Sequence, residues 1–521
     1  MKYVKRFDNH EDYLDYLESD EFVTPNVSFC DQEVELHYTP YVPSHDYSKD
    51  YLTFEVVENN CSIALYQVGL SNNPVIIQYS TDNGNTWSED LTASTSNLGA
   101  VLGTFNIGDK ILVKGNNETW AQGIVDDNAS TIDGILNGTA STFAFTTTSN
   151  VNVYGNIMSI SLSDNFKTNT NETGISFCGL FGDIFNYQSN GQIKGNHIIN
   201  AENLILPTSQ SLTSSVPKKY EMLFAFSSYL TTPPQMLTFK NSQYKYCYRD
   251  MFNGCTSLAI APELPATTLA EGCYDYMFYG CTSLASVPVL PATTLANNCY
   301  GFMFANCTSL TSAPELPATT LANNCYSYMF YGCTSLASAP VLPATTLATG
   351  CYSGMFEDCT SLTTAPELPA TTLANNCYSY MFIGTSLISA PVLPATTLAA
   401  WCYSDMFEGC HSLTSAPVLP ATTLAEGCYS GMFEDCTSLT TAPELPATTL
   451  VTDCYADMFF GCDGLNYIKA MFTTTPSDTY TENWVSGVAS SGTFVKNSSA
   501  SWNVTGNNGV PSGWTVETAS E

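Results

Sequence analysis

The chain has 521 residues, of which 44% are hydrophobic and only 12% are charged, and its formal net charge is −33. This apolar fraction is typical of an ordered protein, while the charged fraction is about half of that in an average soluble domain. Between Met251 and Ile468 there are sixteen Asp and Glu residues and no Lys or Arg. This stretch is therefore a poor candidate for binding nucleic acid or anionic lipid, since both bind to clustered cations.

Residues 1–45 are predicted to form a small α+β module. His10 to Leu17 carries its apolar residues at helical spacing, and Pro25-Asn26 ends that pattern. Val27 to Phe29 and Val34 to Tyr38 alternate like the two strands of a hairpin. The first residues lack the apolar run and the cleavage site of a signal peptide, and no stretch of about 18 apolar residues follows. We therefore expect synthesis in a cytoplasm and no membrane span.

Residues 46–200 are predicted to form an all-β, sandwich-like domain. Short runs of alternating or β-branched residues are separated by turn residues throughout this segment, a pattern typical of packed sheets. The predicted strands are Leu52 to Val57, Ser62 to Leu65, Pro74 to Tyr79, Lys110 to Val113, Ala144 to Thr148 and Val151 to Tyr154.

One string in this domain, Ser80 to Trp87, is similar to the Asp-box hairpin of sialidases and related β-propellers. It reads STDNGNTW and occurs once, whereas a propeller contains several copies. Its Asp82 and Gly84 are suited to holding a hairpin turn. We therefore interpret the string as a turn and not as a sign of glycosidase activity.

From residue 201 to residue 468 the chain is predicted to be a solenoid. Met-Phe occurs nine times between Met251 and Met458, at intervals of 26 residues with one interval of 25. A period of this length is typical of stacked coils, which bury equivalent residues against one another because no coil encloses a core alone. Residues 201–250 are interpreted as a degenerate first coil, in which Met222-Leu223-Phe224 precedes Met251 by 29 residues.

Each coil is predicted to combine an extended side with a short helix. Paired prolines, such as Pro340 and Pro343, exclude helix from one side. On the other side Cys, Met, Phe and Cys recur at a spacing that places them on one helical face, pointing inward. In one representative coil these residues are Cys325, Met329, Phe330 and Cys333.

Seventeen of the twenty cysteines follow the repeat and form two columns. Neighbouring coils of a stack lie about 5 Å apart, a distance that permits disulfides. Because we expect the chain to be made without export, we interpret the columns as buried thiols, with disulfides and metal binding as the alternatives. The array contains one histidine, His411, and no CxxC pair, so a zinc site lacks its usual ligand spacing.

Residues 469–521 are predicted to cap the array. The repeat drifts out of register after Ile468, and Trp484, Trp502 and Trp514 are available to cover the last coil. Terminal coils must be atypical because one of their faces meets no neighbour.

The repeat resembles the leucine-rich repeats of BspA-like surface proteins. The resemblance rests on the order of a Cys-x-x-Leu, a Pro-containing strand, an apolar turn and an aromatic Met-Phe before the next Cys, with Met-Phe where that family usually has Ala-Phe. It covers residues 220–468 and implies a leucine-rich-repeat solenoid. Val153 to Ser159 and Trp484 to Asn497 look like segments from gut Bacteroidales and their phages. The opening module is similar to N-terminal segments of tail-associated proteins in crAss-like phages.

No catalytic residue, cofactor or metal site is predicted. The five histidines are scattered, and no nucleophile elbow, phosphate loop or pair of carboxylates occurs at a catalytic spacing. The acidic pairs Glu357-Asp358 and Glu434-Asp435 are interpreted as solvated charges on exposed turns, with a calcium contact as the alternative. The chain is therefore expected not to be an enzyme.

A ligand-binding ridge is predicted instead, at two positions that vary between otherwise identical coils and that a helix would turn outward. The first half of the array carries mainly aromatic residues there, and the second half mainly carboxylates and glycine. This combination suits a sugar or a protein partner. The alternative is that the tyrosines simply cover the coils. The candidate ligand-binding residues are Tyr276, Tyr279, Phe302, Tyr328, Tyr331, Tyr380, Asp405 and Glu408.

These observations favour a non-enzymatic recognition protein. The leading hypothesis is a phage virion or tail-associated protein, made in the host cytoplasm, that binds a host-surface glycan or protein through its repeats. Residues 1–45 would attach it to virion or tail proteins. The alternatives are a BspA-like adhesin on a bacterial cell surface and a structural spacer. No nucleic acid is expected as a partner, and homo-oligomerisation stays open.

Overall fold

The computed structural model of the chain describes residues 45–68, 75–94, 99–117, 142–168, 177–183, 196–206, 220–235, 237 and 245–519. The helix predicted from His10 to Leu17 and the hairpin predicted between Val27 and Tyr38 lie outside the described residues. Within them, no helix is both long enough and apolar enough to cross a membrane.

Strands dominate the described segments up to residue 206, and all six strands predicted there are present, with small shifts at their ends. They are accompanied by two 3-10 turns, Tyr47–Lys49 and Ser163–Lys167, and by the short helix α1, Ser159–Leu162. The strands are β1 Leu52–Val56, β2 Cys61–Val68, β3 Ile76–Ser80, β4 Leu91–Thr92, β5 Ala100–Phe105, β6 Lys110–Gly115, β7 Thr142–Thr147, β8 Val151–Asn156, β9 Ile198–Asn200 and β10 Leu204–Ile205. The sequence did not predict β4, β5, β9 and β10, because three of them are too short to show a period and Gly103 interrupts β5.

These strands form two sheets that share one apolar core. The larger has the order β10-β8-β1-β6-β3-β4, with β9 also beside β8, and the smaller has the order β5-β2-β7. Neighbours are antiparallel, except that β9 and β10 run parallel to β8. The rings of Phe54 in β1 and Phe145 in β7 lie 4.9 Å apart, so the larger and the smaller sheet are in direct contact.

The string from Ser80 to Trp87 forms a turn that leads from β3 towards β4, as predicted. Asp82 organises it, because its carboxylate accepts hydrogen bonds from the backbone N–H of Thr86 at 2.9 Å and from the Thr86 hydroxyl at 2.6 Å. These bonds lower the pKa of Asp82 to about 2. The string therefore has a structural role in this sheet.

The repeats stack as coils, each lying on the next at an offset of one repeat. Isolated parallel bridges join equivalent residues, such as Ile260 with Ser286 and Thr268 with Thr294. Between residues 245 and 466, all of which are described, there is neither a helix nor a strand beyond these bridges. Stability therefore depends on contacts between neighbouring coils and not on regular elements within a coil.

The segment from Cys to Cys in each coil is a run of turns, so the short helix predicted there is wrong. Its N–H groups alternate between two kinds of acceptor. That of Tyr328 donates to the carbonyl of Ser353 in the next coil at 2.8 Å, and that of Met329 donates to the carbonyl of Tyr326 in the same coil at 3.2 Å. An α-helix would satisfy its N–H groups internally and leave few of them for the neighbouring coil. The turns thus join the coils as strands would.

Equivalent side chains of successive coils form buried columns. Both residues of all nine Met-Phe pairs are fully buried, which confirms their predicted inward direction. Neighbouring Phe rings of this column stack with centroids between 5.5 Å, for Phe252 and Phe278, and 5.8 Å, for Phe433 and Phe459. Each such pair contributes about 0.5–1.5 kcal/mol beyond the area it buries. A second stacked and buried column, which the sequence did not predict, consists of Tyr220, Tyr248, Tyr274, Tyr300, Tyr326, Tyr352, Tyr378, Tyr403, Tyr429 and Tyr455.

The nineteen cysteines within the described residues are buried, and those of the two columns from Cys255 to Cys462 are free, in agreement with their interpretation as thiols. The second cysteine of a coil donates its S–H to a Phe carbonyl of the preceding coil, as Cys333 does to Phe304 at 3.0 Å. Burial raises the pKa of Cys333 to about 12. These thiols are therefore protonated at neutral pH and are poor nucleophiles.

The stack begins before the boundary predicted at residue 201. The N–H of Phe181 donates to the carbonyl of Leu223 at 2.9 Å, and its ring stacks on that of Phe224 with centroids 5.4 Å apart. On the other side, the N–H of Phe145 in β7 donates to the carbonyl of Leu180 at 2.9 Å. The sheets therefore pass directly into the stack and cover its first coil.

The stack also continues past residue 468, so the predicted loss of register is wrong. β11 (Tyr467–Ala470), β12 (Thr493–Lys496) and β13 (Thr515–Thr518) form a parallel sheet, with the short helix α2 (Asp478–Thr481) between β11 and β12. Tyr467 pairs with Thr493, one repeat length later. As predicted, three tryptophans are buried at this end, and each indole N–H donates to a backbone carbonyl. They are Trp484, Trp502 and Trp514.

Candidate recognition surface

In the turns of each coil, beginning just before the first cysteine, every fourth residue has a left-handed backbone conformation. In one coil these residues are Asn324, Tyr328 and Gly332, with φ of 53°, 54° and 67°. Positive φ suits Gly, Asn and Asp, whereas it strains other residues by roughly 1–3 kcal/mol. Most of these positions in the stack do carry Gly, Asn or Asp. The others carry Met222 or an aromatic residue, and these exceptions require a reason.

Five of the eight predicted ligand-binding residues occupy the middle left-handed position of their coils. Elsewhere the same position carries Gly354, Gly431 and Asp457, with φ of 60°, 60° and 55°. Glycine and aspartate there are explained by the backbone, so the variation between coils is not in itself evidence for a ligand. The five predicted residues are Tyr276, Phe302, Tyr328, Tyr380 and Asp405, with φ of 55°, 51°, 54°, 63° and 54°.

Three of these aromatic residues form one stack outside the core. The ring centroids of Tyr276 and Phe302 lie 4.5 Å apart and those of Phe302 and Tyr328 lie 4.8 Å apart, with planes 7° and 8° from parallel. All three side chains are half-buried. The stack ends over Gly354, where a Cβ atom would come within 2.1 Å of the Tyr328 ring. Because the shared faces of the rings are covered, the stack offers mainly ring edges to a partner.

Tyr380 is separated from this stack by the coil that carries Gly354. It is 38% exposed, the most of the predicted aromatic residues. Burial, followed by the negative charges of Asp405, Glu408 and Glu357, raises the pKa of Tyr380. Tyr380 is thus an accessible ring with carboxylates on both sides of it along the stack.

The second predicted position adds Tyr279, Tyr331 and Glu408, all half-buried. Tyr279 is tilted against Tyr276 with centroids 5.7 Å apart, and Tyr331 meets Tyr328 edge-on at 6.3 Å. Both tyrosines therefore widen the aromatic stack. The six predicted aromatic residues thus lie on the outside of the coils from Tyr276 to Tyr380. The two predicted carboxylates, Asp405 and Glu408, lie together in the coil that follows Tyr380.

Two further carboxylates, Glu357 and Glu434, share this second position and are half-buried. Burial, followed by repulsion from neighbouring carboxylates, raises the pKa of each of them to about 7. The same causes raise the pKa of Glu408. The prediction that Glu357 and Glu434 are solvated is therefore wrong, whereas their sequence neighbours Asp358 and Asp435 are exposed. The alignment of Glu357 and Glu434 with Tyr279 in the repeat places them in the predicted ridge.

We refer to the eight predicted residues together with Glu357 and Glu434 as the outer strip. In the part of the chain that is described, no three His, Cys, Asp or Glu residues are placed to hold a metal ion. His411, the single histidine of the repeats, is exposed and pairs through Nδ1 with the backbone carbonyl of Asp435 at 2.9 Å. The groups that the outer strip offers to a ligand are aromatic rings and carboxylates. That the chain is not an enzyme stays a prediction.

Residues 245–388 match the family described as the BspA type leucine rich repeat region, in six copies. The coils in this range are therefore similar to BspA-type leucine-rich repeats. The matched coils include the aromatic half of the outer strip, and the 26-residue spacing of Met-Phe continues beyond them to Met458. No curated protein and no solved structure matches the chain.

Proposed function

We propose that this chain is a non-enzymatic recognition protein that binds a glycan or a protein on a cell surface through the outer strip. The observation that carries the proposal is the placement of Tyr276, Phe302, Tyr328 and Tyr380 at left-handed positions that Gly, Asn or Asp occupy in other coils. Strained residues persist where surrounding structure or function favours them. BspA-type repeats, which resemble those of surface proteins, support the same function.

We further propose that the carrier is a phage virion or tail, with residues 1–45 as its attachment to virion proteins. The repeats are equally consistent with a BspA-like adhesin on a bacterial surface. In the first case the labelled full chain should bind cells of gut Bacteroidales. In the second it should bind proteins or cells of the animal host. A screen against both sets of cells decides between the two carriers.

The role of the strip is tested by replacing Tyr276, Phe302 and Tyr328 together with Asn. Because Asn tolerates positive φ, the triple variant relieves strain while it removes the rings. We expect cell binding to be lost while the circular dichroism spectrum is unchanged. The matched control replaces three valines of another column that are about four-fifths exposed, V289N, V341N and V392N, and should bind as the unmodified chain does. If the triple Asn variant bound cells as well as the unmodified chain does, the spacer alternative would be supported.

A further inference from the structure

We infer that the outer strip recognises a cationic side chain, Lys or Arg, presented by a basic segment of a protein partner. The inference rests on the proposed function and specifies its ligand. The residues that would receive the cation are Tyr380, Glu357 and Glu408.

The aromatic stack is poorly built to hold a sugar. A pyranose binds an aromatic residue by laying its C–H groups on the ring face, where the negative part of the quadrupole lies. In the outer strip the faces between Tyr276 and Phe302, and between Phe302 and Tyr328, are covered by the neighbouring ring at 4.5 and 4.8 Å. The edges that remain suit apolar side chains of a protein better than a sugar ring.

Tyr380 is suited to a cation. It is the most exposed predicted aromatic residue, and the stack that covers the other ring faces ends at Tyr328. A cation over the face of such a ring is attracted by the ring quadrupole. The coil of Tyr380 lies between those of Glu357 and Glu408, since the N–H of Asp358 donates to the Ile383 carbonyl at 2.8 Å and the N–H of Gly384 donates to the Glu408 carbonyl at 2.9 Å. A Lys or Arg placed over Tyr380 would therefore also meet two carboxylates. A planar guanidinium can stack on the ring and donate to a carboxylate at the same time.

Among the ion pairs of the described residues, none involves a carboxylate of the outer strip. Lys and Arg are absent from the sequence between Arg249 and Lys469. The repulsion between Glu357 and Glu408, and between Glu408 and Glu434, contributes to the raised pKa of Glu357 and Glu434. A bound cation would relieve this repulsion, whereas a neutral sugar would leave it unchanged. A second copy of this chain would increase it, because each copy carries a net charge of −33.

Fluorescence anisotropy on the full chain tests the inference with a labelled oligo-arginine peptide as the probe. The matched probe is an oligo-citrulline peptide, which has the same shape without the charge, and a neutral oligosaccharide serves as the third probe. At about pH 8 and physiological ionic strength, we expect binding of the arginine peptide only. E357Q should weaken it about tenfold through the lost charge-assisted hydrogen bond, and Y380N about fivefold through the lost ring.

Diffuse attraction to an acidic protein is controlled with E315Q, which removes one negative charge from an exposed position outside the outer strip. It should change the affinity less than twofold, roughly the effect of one screened surface charge. The affinity for the arginine peptide should also fall between about pH 8 and pH 5.5, because Glu357 becomes protonated as the pH drops through 7. That fall should be smaller in E357Q.

Equal weakening by E315Q and E357Q would overturn the inference, since the charge would then act from a distance. Binding of the oligosaccharide that is lost in Y380N would overturn it as well, while leaving the proposed function intact. Failure of every probe, together with loss of cell binding in the triple Asn variant, would also reject the cation and keep the strip as a recognition surface. Only unchanged cell binding by the triple variant counts against the proposed function itself.

Discussion

Cys333 shows what the stack requires of a single side chain. It is fully buried, and its S–H donates to the carbonyl of Phe304 in the preceding coil at 3.0 Å. The 25-residue interval provides a natural comparison, because Thr385 takes the place of this cysteine there and its hydroxyl donates to the carbonyl of Phe382 at 2.8 Å. Cys333 thus donates to the preceding coil and Thr385 within its own coil, so what the two residues share is a small side chain that donates to a buried Phe carbonyl.

Replacing Cys333 by Thr and by Val separates the hydrogen bond from the volume. The two substitutes have nearly the same shape, but only Thr can donate. Because a net intramolecular hydrogen bond stabilises by about 1 kcal/mol, we expect the free energy of unfolding of C333T to exceed that of C333V by about that amount. Urea unfolding followed by circular dichroism measures the difference. If C333V were as stable as C333T, the donor would be irrelevant and the column would be purely apolar.

Glu434 predicts an unusual dependence of stability on pH. Its pKa is raised from 4.5 to about 7, so the folded protein holds the proton more tightly than the unfolded chain does. The contribution to stability is fully present below about pH 4.5 and is lost as the pH rises through 7. E434Q should therefore raise the thermal midpoint at about pH 8 and change it little at about pH 4. E315Q, at an exposed position elsewhere, is the control, and a lower midpoint for E434Q at the higher pH would contradict the assignment.

At the scale of the element, the period predicted the buried columns but not the conformation that forms them. Met329 and Phe330 were correctly placed inside, because they recur once per coil. A helix and this run of turns both return to the same side after about four residues, so spacing alone cannot separate them. The distinguishing signal is the recurrence of Gly, Asn and Asp every fourth residue, which the aromatic exceptions, such as Tyr328, conceal.

Two of the large residues at left-handed positions, Tyr328 and Trp401, explain a glycine in the next coil. The Tyr328 ring lies where the Cβ of residue 354 would be, at 2.1 Å, and Trp401 lies over Gly427 in the same way at 2.3 Å. A ring that lies flat over the next coil thus leaves room only for glycine there, whereas the rings of Tyr276 and Phe302 are followed by further rings that stack on them. The aromatic half of the candidate site could be predicted from the sequence, but this pairing depends on which residues lie above one another.

G354A tests the pairing. The backbone there has φ of 60°, so alanine adds strain of about 1–2 kcal/mol in addition to its contact with the Tyr328 ring. In a Y328G background only the strain remains, and the same substitution should lower the free energy of unfolding by a smaller amount. A double-mutant cycle of Y328G and G354A, measured by urea unfolding, gives the coupling energy. A coupling of zero would show that the ring moves aside without cost.

At the scale of the whole molecule, buried charges join the first coils. The same position in three successive coils carries Glu221, Arg249 and Asp275, so the sign of the charge alternates from coil to coil. Arg249 Nε lies 3.4 Å from the Asp275 carboxylate and 3.5 Å from that of Asp250. In later coils the position carries Ser327 and Ser353. A buried charge is stable only when its oppositely charged partner is in place. We therefore interpret this column as fixing the order and register of the coils next to the sheets.

Removing the cation with R249M should destabilise this end of the stack by about 3–5 kcal/mol, because the remaining carboxylates are left buried and unbalanced. Burial raises the pKa of Asp250 and Asp275, and the charge of Arg249 opposes that rise. Without Arg249 the carboxyls hold their protons to a still higher pH, so the loss should be smaller at about pH 5 than at about pH 8. R249S/D275S, which copies the serines of later coils, should recover the part of the loss that is due to Asp275, while Glu221 and Asp250 stay buried. Urea midpoints of the three proteins at both pH values measure this, and a loss in R249M that is independent of pH would show that Arg249 contributes packing and not charge.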